Sequence, residues 1–524
     1  MKLRAFGTVV VGLVLVLVAC APPPPPFAVD VGSSQTTVLR GDDVTVSVSV
    51  VRGGVTGPVV LSVSGEPAGV TASFADPVLP DGVSSTTVTL VVGPEAVEAT
   101  TDVTVTAVAG ARAASTQLSL TVESLTVTGL IVDALGLPRP GVDVLIQGTT
   151  DTSAADGTFE IAGVAVPYDA ATFVGGANPI AHVFVGLRAE DPTLFPFGAV
   201  QPLSLQTTTV SGALPAAVPA DHVARVCVEG LTVPLYGCDR LNVGEVAYEV
   251  ELDYAGGPVA ARVHALLVEV DADGRPVAYP SYGTVDAALV EGGTTSGVDI
   301  TSVSDPLEGT IALSANIPAG FVAEYVAIGA RLNERFTMAL PEVSLVGGAL
   351  GSFVVPILPG ATYGVELDAY TAGTAAAIAW RFGLPAGASV TLDLDGPPVA
   401  QSPADGATGV GVGDVLAVAG APAGVTTFIV GPAAVFGPTL AITTVEAQAT
   451  IPDLTELGFA LLAATEHSWN VVFMHGDATP DASGEAWYRA YADATLALNS
   501  GGPSPAAGTV GTVAAPEGRS FFTP

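Results

Sequence analysis

Three cysteines, five histidines and a few tight acidic turns are the side chains of this 524-residue chain whose types invite a chemical role. Cys227 and Cys238 stand eleven positions apart, with Pro234 and Gly237 between them. In an oxidising compartment that spacing is expected to staple a hairpin or loop by a disulfide, stabilising it by about 3 kcal/mol. A metal pair is the rival reading, but no further cysteine lies nearby to complete it. His182, His222, His264, His467 and His475 never fall at the i, i+4 spacing of a zinc-binding helix, and neither His-Glu-x-x-His nor Cys-x-x-Cys occurs. No Gly-x-Ser-x-Gly elbow supports an α/β-hydrolase. The GVGVG run from Gly409 has no helix to follow it and reads as a loop.

Acidic turns raise calcium. Glu269, Asp271 and Asp273 precede Gly274, and Asp393 and Asp395 precede Gly396. Hard oxygen ligands on a turn suit Ca²⁺, which needs six to eight oxygens, but both clusters lack the bidentate acid at the far end. Asp271 and Asp273 therefore read first as turn formers, with Ca²⁺ the one cofactor left open. In EAWYRAYAD, Trp487, Tyr488 and Tyr491 crowd together in an aromatic-poor chain. Exposed rings of this kind stack on sugars or anchor protein interfaces. On a strand, Trp487 and Tyr491 share one face and Tyr488 takes the other, so one side is expected to fill a core.

The elements that position these residues begin with an export signal. Lys2 and Arg4 precede an apolar run from Ala5 to Val18, too short for a permanent span and right for a signal segment. The run ends in Leu17-Val18-Ala19-Cys20, which resembles the lipobox of bacterial lipoproteins. The resemblance implies cleavage after residue 19 and diacylglyceryl attachment to Cys20. Multiple acyl chains hold a protein on its membrane, each buried methylene adding about 0.8 kcal/mol. Ala21 is not the aspartate that retains enterobacterial lipoproteins at the inner membrane, so the implied address is the outer membrane or cell surface. Pro22 to Pro26 form a stiff spacer. No later run is apolar enough to span, and the rest is expected to be soluble.

Charge removes one class of partner. The chain carries 16 Lys plus Arg against 51 Asp plus Glu, a net −35, and loss of Lys2 and Arg4 with the signal makes it −37. Such a body repels phosphate backbones, so nucleic acid is excluded. Dominance of Ala, Gly, Val, Pro and Arg with scarce Lys is that of a GC-rich genome. High Val, Thr, Gly and Pro argue against helical bundles.

The fold class expected is all-β, tandem β-sandwich modules after a lipoprotein signal peptide (1–19) and a lipidated, Pro-rich spacer (20–26). In 27–123, Val44 to Val50, Leu61 and Val63, Val88 to Val92, Val103 and Val105, and Leu118 to Val122 alternate with polar neighbours between Gly, Pro and Asp turns. Its GPVVLSVSGEPAGVTASF resembles bacterial immunoglobulin-like repeats. Residues 124–206 open with Val127 and Gly129, Asp133 to Pro138, Gly141 to Val144 and Asp156 to Phe159. That order resembles the carboxypeptidase regulatory-like domain, a transthyretin-like sandwich that is accessory and carries no peptidase residues. Residues 207–302 and 303–396 read as a diverged pair, with Gly212 matched to Gly309 and YEVELDYAGG from Tyr248 matched to YGVELDAYTAG from Tyr363. Residues 397–498, with Ser402 to Ala407 and Trp469, resemble fibronectin type III-like modules. The tail, 499–524, has no periodicity and is expected to be disordered.

No nucleophile, metal or acid/base constellation emerges. The function expected is that of a non-catalytic, lipid-anchored cell-envelope protein, a modular stalk or an adhesive surface, meeting the membrane through its lipid and envelope polymer or other surface proteins through its modules. The alternatives are glycan or envelope-polymer binding through the C-terminal module and, more remotely, a hydrolase built on acidic residues of 207–396.

Overall fold

Alternation of valine or leucine with threonine and serine builds the first module, because successive side chains of an extended chain point to opposite faces. In Asp43–Val51, Val46, Val48 and Val50 are buried while Thr45, Ser47 and Ser49 face water. Ser85–Val92 does the same with Val88, Leu90 and Val92, and the two strands pair with Val46 opposite Val88. The computed structural model describes residues 26–133, 137–196, 206–232, 235–254, 258–333, 336–345, 348–373, 375–421, 423–434, 436–475, 479–481, 510–516 and 518–524. The chain divides into two compact units, Met1–Ser124 and Leu125–Pro524. In the first, a four-stranded sheet ordered Ala28–Val31, Asp43–Val51, Ser85–Val92, Val70–Phe74 faces a five-stranded sheet centred on Arg112–Glu123 and Ala99–Ala109. One valine- and leucine-rich cluster fills the space between them. The class is all-β sandwich.

The second unit is also β throughout, but its modules share sheets. Small sheets formed within 125–194, 206–295, 307–393 and 399–450 each cover one side of a sandwich. Three of the four pack on a single fifteen-stranded sheet running through 143–187, 424–475, 510–515 and 322–384. Two joints make it continuous. Ile180–Leu187 pairs in parallel with Thr439–Thr444, from Ile180 opposite Thr439 to Phe184 opposite Thr443. Val510–Ala515 lies between Ala376–Leu384 and Glu466–His475, antiparallel to both. The boundaries expected at 206, 302 and 396 thus separate stretches of chain, not separate bodies.

The tail is a correction. Of the expected tail, 510–516 and 518–524 are described and belong to the sheet instead of lacking structure: Arg519–Phe522 pairs with Glu466–His475 and with Ala407–Thr408, and Phe521 is fully buried. The last residue is docked too, its carbonyl accepting the Ala464 N–H at 2.8 Å. Gly, Pro and Ser dilute the periodicity of this segment, but Val510, Val513, Phe521 and Phe522 suffice for two short strands whose partners lie elsewhere.

Residues 206–295 and 307–393 share one strand order. Gln206–Ala213 lies between antiparallel Ala247–Tyr254 and parallel Thr294–Thr295; Leu307–Asn316 lies between antiparallel Ser352–Ile357 and parallel Ser389–Asp393. Likewise His222–Gly230 lies between Tyr236–Leu241 and Val259–Val270, as Val322–Arg331 does between Thr337–Ala339 and Thr362–Tyr370. Both second strands follow a Pro-Ala turn whose third residue is left-handed, Asp221 at φ 59° and Gly320 at φ 88°. The tyrosine match is a misalignment. Tyr248 sits on Ala247–Tyr254, whose counterpart is Ser352–Ile357, while Tyr363 sits on the counterpart of Val259–Val270. The two share a local job: each is buried and donates its hydroxyl to a backbone carbonyl, of Val298 and of Pro356.

Candidate functional site

A strand sheet buried on both faces cannot spend its polar residues on water, so those it carries must find partners within the protein. The sheet of Tyr236–Leu241, His222–Gly230, Val259–Val270 and Pro276–Leu289 is of this kind. Ala224, Val226, Val228, Val263 and Ala265 point into the sandwich of 206–300. Val223, Cys227, Leu266, Val268 and Tyr279 point the other way, into a core shared with residues 311–394. Pairing sets three rows on that second face: Arg240, Arg225, Leu266, Tyr282; then Cys238, Cys227, His264, Thr284; then Glu229, Arg262, Asp286. Cys227 and Cys238 form a disulfide across the outer strand pair.

His264 is the centre of a buried polar network. Its Nε2 lies 2.9 Å from Glu229 Oε2 and its Nδ1 2.8 Å from the Tyr282 hydroxyl. The ring is stacked between Phe336 and Tyr282. Asn333 donates its side-chain amide to the other Glu229 oxygen, and Phe336 N–H donates to Asn333 Oδ1 at 3.1 Å. Burial by itself pushes the Glu229 carboxyl up, but hydrogen bonds from His264 and Asn333, with the charges of His264 and Arg262, outweigh it and hold the group below its usual range. The network ties 206–295 to the loop after Val322–Arg331. Burial pushes Tyr282 up to about 12, so it stays a neutral donor or acceptor.

At the Arg225 end the interface opens into a cleft of about 410 Å³. Arg225, Arg240 and Asp273 line one wall; Tyr325, Glu342 and Ser344 line the other, over Leu340 and Pro341. Burial lowers the Arg225 guanidinium, opposed by the charge of Glu342 and reinforced by Arg240. Tyr325 is raised by burial and by its hydrogen bond with Glu342. Behind it, opposite Tyr325 in the sheet, burial raises Asp368 to about 6 despite the Tyr370 hydroxyl 3.1 Å from its Oδ2, and Glu342 adds to the rise. Asp368 does not line the cleft, so the two carboxylates do not face each other across it.

No family model and no curated protein matches the chain. Solved structures with a similar arrangement include the titin domains Z1Z2 in complex with telethonin, 13% identical, covering 51% of this chain and 98% of that one at a TM-score of 0.15. The pilus adhesin SpaC from Lactobacillus rhamnosus GG is 11% identical, covering 65% and 57% at 0.15. The ICAM-5 D1–D4 ectodomain fragment is 12% identical, covering 87% and 96% at 0.14. TM-scores this low lend no weight to a function.

Of the residues singled out by type, the acidic turn works as a turn. Asp271 Oδ1 accepts the N–H groups of Asp273 and Arg275 at 3.0 and 2.9 Å, and Gly274 takes φ 80°. Among the described residues no group of three or more His, Cys, Asp or Glu is placed to hold a metal ion. Asp393 and Asp395 accept side-chain hydrogen bonds from Asn316 and Thr512. Cys20, Trp487, Tyr488 and Tyr491 lie outside the described residues. No helix among the described residues is long and apolar enough to cross a membrane. Glu229, Tyr282 and Asn333 escaped the sequence reading, having no local pattern to mark them.

The parallel joint carries a second buried histidine. His182 is fully buried, stacked on Phe184, with Nε2 2.7 Å from Thr443 Oγ1, which also meets Thr427 Oγ1 at 2.9 Å. Burial pushes His182 down to about 3, the backbone near Phe195 opposing it. The ring is thus neutral when folded, while the unfolded chain takes up its proton near pH 6.5. Stability from this group is present above pH 6.5 and falls as pH drops toward 3, by about 2 kcal/mol between pH 6.5 and 4.5. His467, lowered by burial, acts in the same direction, and Asp368, raised, acts against it. Thermal unfolding of wild type and His182→Gln across this range isolates the term: the variant is expected to lose the steeper slope, and an unchanged slope would contradict the assignment.

Proposed function

We propose that the chain is a non-catalytic, lipid-anchored cell-envelope protein whose β-modules form a stalk or adhesive surface. The observation that carries this reading is the joining of the modules in 125–524 through backbone hydrogen bonds. A parallel pair links Ile180–Leu187 to Thr439–Thr444, and the Val510–Ala515 strand links Ala376–Leu384 to Glu466–His475. Ladder hydrogen bonds resist bending and shear where a flexible linker would not, which suits a body held away from a membrane. The Cys227–Cys238 disulfide supports an oxidising compartment.

In this reading Cys20 carries the lipid, Pro22 to Pro26 space the body from the outer membrane of a bacterium, and 27–123 is an immunoglobulin-like module. Residues 124–206 are carboxypeptidase regulatory-like, and 397–498 are fibronectin type III-like. The Gly157 turn supports the second of these: its φ is 79°, and a Cβ there would come within 2.6 Å of the Ile131 carbonyl. Mass spectrometry of the mature amino terminus is expected to find acylated Cys20. A Cys20→Ala protein is expected to leave the membrane fraction, and its retention there would sink the anchor. Protease added to intact cells is expected to cut the body; full protection would move it to a periplasm-facing role.

A further inference from the structure

Two guanidinium groups directly opposite on paired strands repel each other. Arg225 and Arg240 are such a pair, and the neighbouring rung on the same face is the Cys227–Cys238 disulfide, which holds the strands in register against that repulsion. Arg225 is answered by the charge of Glu342 across the cleft. Arg240 is exposed at the cleft, and among the described residues its guanidinium has no hydrogen-bond or opposite-charge partner. In a chain with 16 cationic and 51 acidic residues, two arginines on one cleft wall are a concentration that folding alone does not call for.

The lining sets the ligand chemistry. Arg225 and Arg240 only donate; the carboxylates of Glu342 and Asp273 accept; Tyr325 and Ser344 do either. A carboxylate or phosphate would satisfy Arg240 but meet two carboxylates and the field of a −35 chain. A cation would satisfy the carboxylates but meet two guanidiniums. A vicinal diol donates to a carboxylate and accepts from a guanidinium at once, and Leu340 and Pro341 offer an apolar floor to its C–H face. The cleft's volume of about 410 Å³ falls in the range of small-ligand sites. We propose that the Arg225–Arg240/Tyr325–Glu342 cleft binds an uncharged saccharide unit. The site does not depend on the lipid anchor.

Saturation-transfer NMR on the whole mature chain tests it, with cellobiose and diacetylchitobiose as neutral probes and digalacturonate as the anionic one. Transfer is expected from at least one neutral disaccharide, with binding about tenfold weaker or worse in Arg240→Ala and in Glu342→Ala. The Arg240 side chain is exposed and, among the described residues, unpaired, so an unchanged melting temperature is expected in Arg240→Ala; in Glu342→Ala, which removes the counter-charge of Arg225, a single cooperative transition is expected to show that the fold survives. Absence of transfer from both neutral probes, tighter binding of digalacturonate, or transfer that persists in both variants would each overturn the proposal.

Discussion

A chain ending at residue 509 is expected to lose much of the stability of the 125–524 unit, and the point variant Phe521→Ala a measurable part of it. Removing Val510–Ala515 strips Ala376–Leu384 of one partner strand, takes the other from Phe473–His475, and opens two unpaired edges where the large sheet was continuous. Removing Arg519–Phe522 withdraws Phe521 from a core that also holds Phe428, Leu440 and Trp469, and uncovers His467, which stacks on its ring. Burying a phenylalanine in such a site stabilises by about 3–5 kcal/mol, so Phe521→Ala is expected to cost that amount, and the truncation more. Differential scanning calorimetry of the three proteins checks the order. Equal melting temperatures in all three would mean that the tail contributes nothing to the fold.

That strand also shows where sequence reading stops. The first module was legible throughout, because every strand pairs with a neighbour in the same hundred residues and one face of each is wet, so Val46, Val48 and Val50 advertise their side. In 125–524 several sheets are covered on both faces. Val228 and Glu229 are both buried, and alternation fades where both faces are dry. The parallel joint rests on ladder hydrogen bonds between segments some 260 positions apart, which every residue but proline can make. Only the buried polar pair His182 and Thr443 marks it, and each reads alone as an ordinary strand residue. Tyr248 and Tyr363 misled for a related reason: the same task, a buried ring with its hydroxyl on a carbonyl, selected similar strands in non-equivalent places.

The cleft was half legible. The Cys227–Cys238 pair marked a clamped strand pair, and with the register known Arg225 and Arg240 fall on its next rung. Glu342 and Tyr325, on a wall supplied by the second copy of the repeat, came only from the fold. A duplicated module whose copies pack face to sheet creates surfaces that neither copy has alone.

The same packing predicts the behaviour of the His264 network. Glu229→Leu is expected to destabilise the 125–524 unit by about 3–5 kcal/mol, because it leaves His264 Nε2 buried without its acceptor. The loss need not measure what the pair contributes. Bringing both groups out of water has its own cost, and a buried ionic pair replaced by apolar groups of similar volume is often close to neutral. Glu229→Leu with His264→Phe is therefore expected to recover most of the stability lost in the single variant, since Phe336 and Tyr282 already stack on that ring position. Acid separates the variants further. Glu229 is held below its usual range, so its contribution is present above about pH 4.5 and declines as pH falls, and the double variant should lack that decline. A double variant as unstable as Glu229→Leu alone would show that the pair is indispensable to the interface and that packing cannot replace it.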